Sequence, residues 1–213
     1  VITKGIKDAL RIGYQNRPDI FAREIILPEL LYQDVVEANE RVTASGEVLV
    51  VVDIAEVQIG LQAAYDAGYR SVAIVLMHGY RYPEHEKKIR DLAKEIGFTQ
   101  VSSSHEASPL MKLIPRGDTT VVDAYLSPIL RRYVDRVASS VGDARLMFMQ
   151  SNGGLVAADL FQGKDSILSG PAGGVVGMAR TATIAGFDKV IGFDMGGTST
   201  DVSHFDGAYE RAF

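Results

Sequence analysis

The sequence predicts an α/β protein in two halves, and three observations carry that prediction. Short apolar runs alternate with longer amphipathic stretches along the chain. Glycine or proline marks the junctions, at Gly68, Pro83, Gly97 and Gly186. Hydrophobic residues are 46% and charged residues 23% of the 213, the balance of a globular protein with room for one large or two small domains.

Taken in order, residues 7–15 predict a short helix stopped at Asn16-Arg17-Pro18. Two β-rich runs within 34–52 flank Ala44-Ser45-Gly46-Glu47, a hairpin turn. Asp53 is placed to cap a helix reaching Ala67, closed by Gly68. Residues 71–77 are almost unbroken apolar sequence, as in a strand buried on both faces. Pro83 suits the first helical position, and a charged helix follows to Ile96 with Gly97 as terminator. With a strand over 101–104 this makes a βαβ unit in a layered α/β domain.

Residues 102–118, rich in Ser with Pro109, Pro115 and Gly117, read as the boundary between the halves. A long helix is expected over 119–141, kinked or restarted by Pro128. A strand over 145–150 leads into Ser151-Asn152-Gly153-Gly154. Ser169-Gly170-Pro171-Ala172-Gly173-Gly174 then opens a helix to Ala185, with Ser169 or Gly170 as its cap and Pro171 as its first residue. The strand 190–193 follows.

Composition also excludes. A net charge of −5 and a pI near 5.4 argue against nucleic acid and anionic membrane as partners. No run approaches the roughly 18 apolar residues of a membrane helix. The chain has no Cys, which removes disulfides and Cys-based zinc sites and favours a cytoplasmic setting. Val1-Ile2-Thr3-Lys4 reads as mid-chain sequence, so a piece of a larger protein is expected.

The densest chemistry is Asp194-Met195-Gly196-Gly197-Thr198-Ser199-Thr200-Asp201. Glycines let the backbone approach an anion and reach conformations barred to other residues. Successive amides can form an anion nest, hydroxyls add donors, and carboxylates hold Mg²⁺ directly or through water. The same segment also reads as a tight hairpin between 190–193 and 202–205, and the two readings are compatible. The free amides opening the 169–174 helix suit phosphate, while Gly173 and Gly174 either keep a surface bare for a nucleotide or permit close helix–sheet packing. Ser151-Asn152-Gly153-Gly154 is a turn, with ligand contact as the second reading.

Other clusters are weaker. His78 and His85 with Glu84 and Glu86 have no recognised zinc spacing. Glu84 and Glu86 instead suit the positive end of the helix after Pro83. Arg116 could meet a substrate carboxylate through its fork or make an ion pair at the domain junction.

Taken together, Ser169–Gly174, Asp194–Asp201 and Met149-Gln150-Ser151-Asn152-Gly153-Gly154 resemble the hydantoinase A / 5-oxoprolinase family. So do Thr3-Lys4-Gly5 with Asp8 and Leu10, Glu40-Arg41-Val42 with Gly46, Pro83-Glu84-His85-Glu86, Arg116-Gly117-Asp118-Thr119-Thr120 and Asp123-Ala124-Tyr125-Leu126. The resemblance runs through the chain in order. It implies the back of the family's N-terminal region over 1–118 and the front of its hydantoinase A region over 119–213. The implied fold joins the layered domain to part of an ATPase domain of the actin, Hsp70 and sugar-kinase (ribonuclease H-like) kind.

The implied activity is ATP-dependent opening of a cyclic amide such as 5-oxoproline or a hydantoin, by phosphorylation of the amide oxygen. The implied cofactors are ATP and Mg²⁺, and the implied partner is a hydantoinase B-like subunit or fused domain. Gly196, Gly197, Thr198, Ser199 and Thr200 would form the second phosphate loop. Asp194 would hold Mg²⁺ or orient the attacking oxygen, with Asp201 as a second catalytic carboxylate. Gly170, Gly173 and Gly174 would line the nucleotide cleft. The family's first phosphate loop and its adenosine-binding segment are absent, so the piece alone is expected to be inactive. A role as assembly module of an ATP-dependent ketone carboxylase is the alternative.

Overall fold

The computed structural model describes residues 1–13, 19–27, 29–142 and 144–210. The chain divides into two compact units, Val1–Arg132 and Tyr133–Phe213. The family regions expected to meet near Asp118 are one division of the chain, and this is another.

In the first unit, four parallel strands form one layer. β1 (Ile2–Thr3) pairs with β2 (Glu37–Ala38), and β5 (Ser71–Ile74) pairs with β6 (Gln100–Ser103). A parallel bridge between Ile2 and Val75 joins the pairs, giving the order β2-β1-β5-β6. Between them, β3 (Arg41–Val42) and β4 (Val48–Val50) make the expected antiparallel hairpin. Gly46 sits at φ +93 against the Tyr82 ring, where only glycine fits. Helix α1 is a single turn, Ala9–Ile12, and the expected end of that helix and its stop at residues 14–18 lie outside the described residues.

α2 (Ile54–Asp66) starts where Asp53 Oδ1 accepts the Glu56 N–H at 3.0 Å, and Gly68 follows at φ +100. α3 (Glu84–Ile96) ends at Gly97 in the left-handed conformation. Its Ile89, Leu92 and Ala93 fall on one stripe and pack with Val57, Leu61 and Ile74 into the core. Each such aliphatic burial contributes about 1.5–3 kcal/mol. β5 is not covered equally on its two faces: Val72 and Ile74 are buried, while Ser71 and Ala73 are only half-buried.

The Ser-rich stretch after β6 is ordered structure. It holds α4 (Ser104–Ala107) and the start of α5 (Leu113–Val141), six residues before the expected Thr119. Pro115 is tolerated because first-turn amides have no helical partner to lose. Of the kink or restart expected at Pro128, α5 shows no restart: it runs on through Pro128, at the cost of one helical hydrogen bond.

In the second unit, β7 (Met147–Met149) and β8 (Leu155–Ala157) form a hairpin. Phe148 stacks on buried Phe161 with ring centroids 5.1 Å apart, and Tyr133 meets Phe148 edge-on at 6.4 Å. α6 (Ser169–Ile184) and the antiparallel hairpin of β9 (Lys189–Met195) and β10 (Thr200–Asp206) complete it. No helix among the described residues is long and apolar enough to cross a membrane.

Candidate functional site

The register of the last hairpin decides which side chains work together. Asp194 stands opposite Asp201, and Gly192 opposite Ser203. Directly opposed residues share a face with Cβ atoms about 5 Å apart, so both carboxylates lie on one side of the ribbon. The turn closes with Gly196 N–H donating to Ser199 O at 2.9 Å. Neither Gly196 nor Gly197 is among the glycines with positive φ. Their contribution is open space: a Cβ at Gly197 would meet nothing within 4 Å, and one at Gly196 only the Ser199 carbonyl at 3.6 Å.

The carboxylate face lies against α6. A Cβ at Gly192 would stand 2.4 Å from Met178 Sδ, and a Cβ at Gly174 would stand 3.1 Å from Asp194 Oδ2. Four helical residues rise about 6 Å and two strand residues about 6.8 Å, so helix and strand advance in step. A Cβ at Gly170, one helical step further toward the N-terminus of α6, would meet nothing within 4 Å. Close packing explains Gly192 and Gly174, and bare surface explains Gly170 and Gly197.

The helix start differs from expectation. Leu168 occupies the cap position and Ser169 is already helical. Ser169 is no cap, because its hydroxyl donates to Ser166 O at 2.9 Å. Ser169 N–H also goes to Ser166 O, Pro171 has no N–H, and Ala172 N–H goes to Leu168 O. Among the described residues, Gly170 keeps the one free amide of the first turn.

The third glycine segment joins the same helix. The turn after β7 is closed by Gln150 N–H to Gly154 O at 2.8 Å and by Gly154 N–H to Asn152 Oδ1 at 2.7 Å. Gly153 is at φ +81, and its Cβ would stand 3.2 Å from Val176; a Cβ at Gly173 would stand 3.6 Å from Met149 Cγ. α6 thus meets the 149–154 turn and Asp194 alike.

The far face of the hairpin is bare. Ile191, Phe193, Met195 and Val202 are 78, 69, 73 and 66% exposed.

Among the described residues, no group of three or more His, Asp or Glu could hold a metal. The site fits Mg²⁺ nonetheless, since that ion uses one or two carboxylates and fills its other positions with water and phosphate oxygens. Asp194 with Asp201 supplies such a pair, and two carboxylates directly opposed are otherwise an unfavourable cross-strand match.

The clusters in the first unit are structural. His85 Nδ1 bonds Glu40 Oε2 at 2.9 Å, and Glu40 Oε1 accepts from Thr3 Oγ1. His78 Nδ1 lies 2.7 Å from the Val42 carbonyl. Glu84 bonds Lys87 at 2.8 Å, which holds its carboxyl below the ordinary value. Glu86 does not serve the exposed helix end but is fully buried, accepting from Leu76 N–H, Ser104 Oγ and the amide and Nδ1 of His105.

Arg116 is also fully buried, and burial lowers its pKa against the opposing pull of Glu86 and Tyr80. Nε donates to Ser104 Oγ, one terminal nitrogen to Leu110 O and Met111 O, and the other to Leu76 O and Met77 O. All five N–H groups are used, so none is left for a substrate carboxylate, and no acid among the described residues is bonded to the fork.

A cavity of about 390 Å³ also opens in the first unit, lined by Tyr32, Tyr69, Val72, Phe98 and Tyr125 among others. Leu10, Ala124 and Tyr125 of the family motifs line it, while its lining includes no residue of 149–154, 169–174 or 194–201. Tyr32 Oη is buried there without a partner, and that burial raises its pKa.

With this geometry in view, comparisons with known proteins agree on one family. Residues 1–97 match the hydantoinase/oxoprolinase N-terminal region and residues 116–213 match hydantoinase/oxoprolinase. 5-Oxoprolinase 1 of Arabidopsis thaliana is 43% identical over 99% of this chain, which spans 18% of that protein. The acetophenone carboxylase gamma subunit of Aromatoleum aromaticum is 28% identical over 94% of this chain and 30% of its own length. The crystal structure of the ATP-dependent caprolactamase from Pseudomonas jessenii superposes with a TM-score of 0.79 at 28% identity, covering 95% of this chain and 31% of that one. The chain spans less than a third of each of these relatives. It is a member of the hydantoinase/oxoprolinase family.

Proposed function

We propose that the chain is part of an ATP-dependent amidohydrolase that opens a cyclic amide of the 5-oxoproline or hydantoin type. The observation that carries this reading is Asp194 seated on Gly174 of α6, on the face it shares with Asp201 and beside an open turn. Gly196, Gly197, Thr198, Ser199 and Thr200 form a phosphate loop, and Gly170, Gly173 and Gly174 border the nucleotide. Asp194 holds Mg²⁺ through water or orients the attacking oxygen, and Asp201 is the second carboxylate. When bound, Mg²⁺ supplies charge neutralisation at the phosphate oxygens. Phosphorylation of the ring amide oxygen makes it a leaving group, and the chain's own task is positioning and charge. The remaining parts of the site come from a longer protein or a hydantoinase B-like partner, in a cytoplasmic setting.

The experiment is cyclic-amide-stimulated ATP hydrolysis by the longer protein. Asp194→Asn is expected to lower kcat at least about 100-fold, and the 213-residue chain alone to give no ATP hydrolysis above background. Activity of Asp194→Asn within fivefold of the parent, or amide-stimulated ATP hydrolysis by the chain alone, contradicts the proposal. The similarity to a carboxylase gamma subunit favours one second reading, ketone carboxylation. Phosphate release with ketone and bicarbonate but with no cyclic amide would establish it.

A further inference from the structure

Ser151 makes bonds that a turn residue does not need. Its N–H and its hydroxyl both donate to Asp165 O, each at 2.7 Å, and its Oγ accepts the Leu168 N–H at 3.2 Å. Leu168 is the residue at the cap of α6, and its apolar side chain cannot cap anything. A hydroxyl has one donor and two acceptor positions, so Ser151 Oγ serves both elements at once. The helix end is thus held by a serine 17 residues upstream, in a different hairpin.

This bond fixes α6 along its axis. Sideways, the helix is confined by Met149 and Gly153 on one flank and by Gly192 and Asp194 on the other. These van der Waals contacts tolerate sliding, whereas a hydrogen bond at the first turn does not. Axial position decides whether Gly174 stays against the Asp194 carboxylate.

We infer that Ser151 is a positioning residue for the nucleotide phosphates: it sets the height of α6 against the carboxylate face and touches no ligand itself. This rests on the nucleotide reading of the site. The test is a series at residue 151 in the longer protein, measuring Kd for Mg·ATP and for its β,γ-imido analogue, and KM for 5-oxoproline. Ser151→Ala is expected to weaken both nucleotides about tenfold, since a displacement near 1 Å carries costs of this order or larger. KM for 5-oxoproline should stay within about twofold, and Ser151→Thr, which keeps the hydroxyl, should recover most of the nucleotide affinity. Ser151→Cys, nearly isosteric with a weak S–H donor, falls between them and carries the test should the alanine variant not fold. Unchanged nucleotide affinity in the Ala or Cys variants overturns the inference, as does equal weakening of nucleotide and 5-oxoproline or failure of Thr to rescue. Asp194→Asn and Gly174→Val separate the two layers: if they too leave nucleotide binding untouched, the nucleotide reading has failed. If they weaken it and Ser151→Ala does not, the positioning role alone has failed.

Discussion

Arg116→Ala is expected to destabilise the first unit by about 3–5 kcal/mol, the range for removing one member of a buried charged network. The substitution deprives the carbonyls of Met77, Leu110 and Met111 of the donor the fork gives them, and removes one partner each from Leu76 O, which keeps the Gly79 N–H, and from Ser104 Oγ. Buried acceptors without donors cost about 1–3 kcal/mol each before relaxation. It also removes a buried cation that interacts with Glu86 and leaves that carboxylate its four hydrogen-bond donors. Arg116→Lys should recover less than half the loss, because an ammonium has three donors and no planar fork. Amide hydrogen exchange of the slowest sites in β5 and α3 measures this without assuming that both units unfold together. A loss below about 1 kcal/mol would mean that the carbonyls find water and that the knot is ornamental.

Gly174→Val is the second large effect, and it acts on chemistry rather than stability. A single Cβ at 174 would already stand 3.1 Å from Asp194 Oδ2. Valine adds two methyl groups and has few rotamers in a helix, so the carboxylate must move. In the longer protein kcat with 5-oxoproline should fall about 100-fold or more, while melting changes by only a few degrees because the site is open to solvent. Gly170→Ala is the matched control: nothing lies within 4 Å of its Cβ position, so it tests ligand contact and not internal packing. A kcat for Gly174→Val within threefold of the parent would detach Asp194 from the reaction.

Elements governed by local chemistry were legible in the sequence. Asp53, Gly68, Gly97 and Gly186 each mark a helix end through a cap or a backbone conformation that neighbouring residues dictate, while Pro83, expected as the first helical residue, sits one place earlier at the cap of α3. β1 and β2 were not, because two-residue strands carry no periodicity and exist through pairing 35 residues apart. Ser102–Ser104 read both as the end of a strand, which β6 bears out as far as Ser103, and as linker composition, yet Ser102 bonds Asp123 and Ser104 bonds Glu86, partners that no local rule reveals. Arg116 shows the same limit more sharply. Four of its five acceptors are main-chain carbonyls, which leave no trace in residue identity, so the fork looked free. At the site, the motifs were legible and their convergence was not: the step of Gly174 and Met178 along Asp194 and Gly192 is a property of helix rise against strand rise.

The bare side of the β9–β10 hairpin has a practical meaning. A two-stranded ribbon is marginal in water by itself, and here one side has α6 while the other offers four large apolar side chains to solvent. Ribbons of this kind join edge to edge or stack as concentration rises. Light scattering therefore belongs beside every titration of the chain alone, because self-association would mimic saturation. Lysine at 191 and 202 would keep the sample monodisperse and leave the opposite side, with Asp194 and Asp201, as it is.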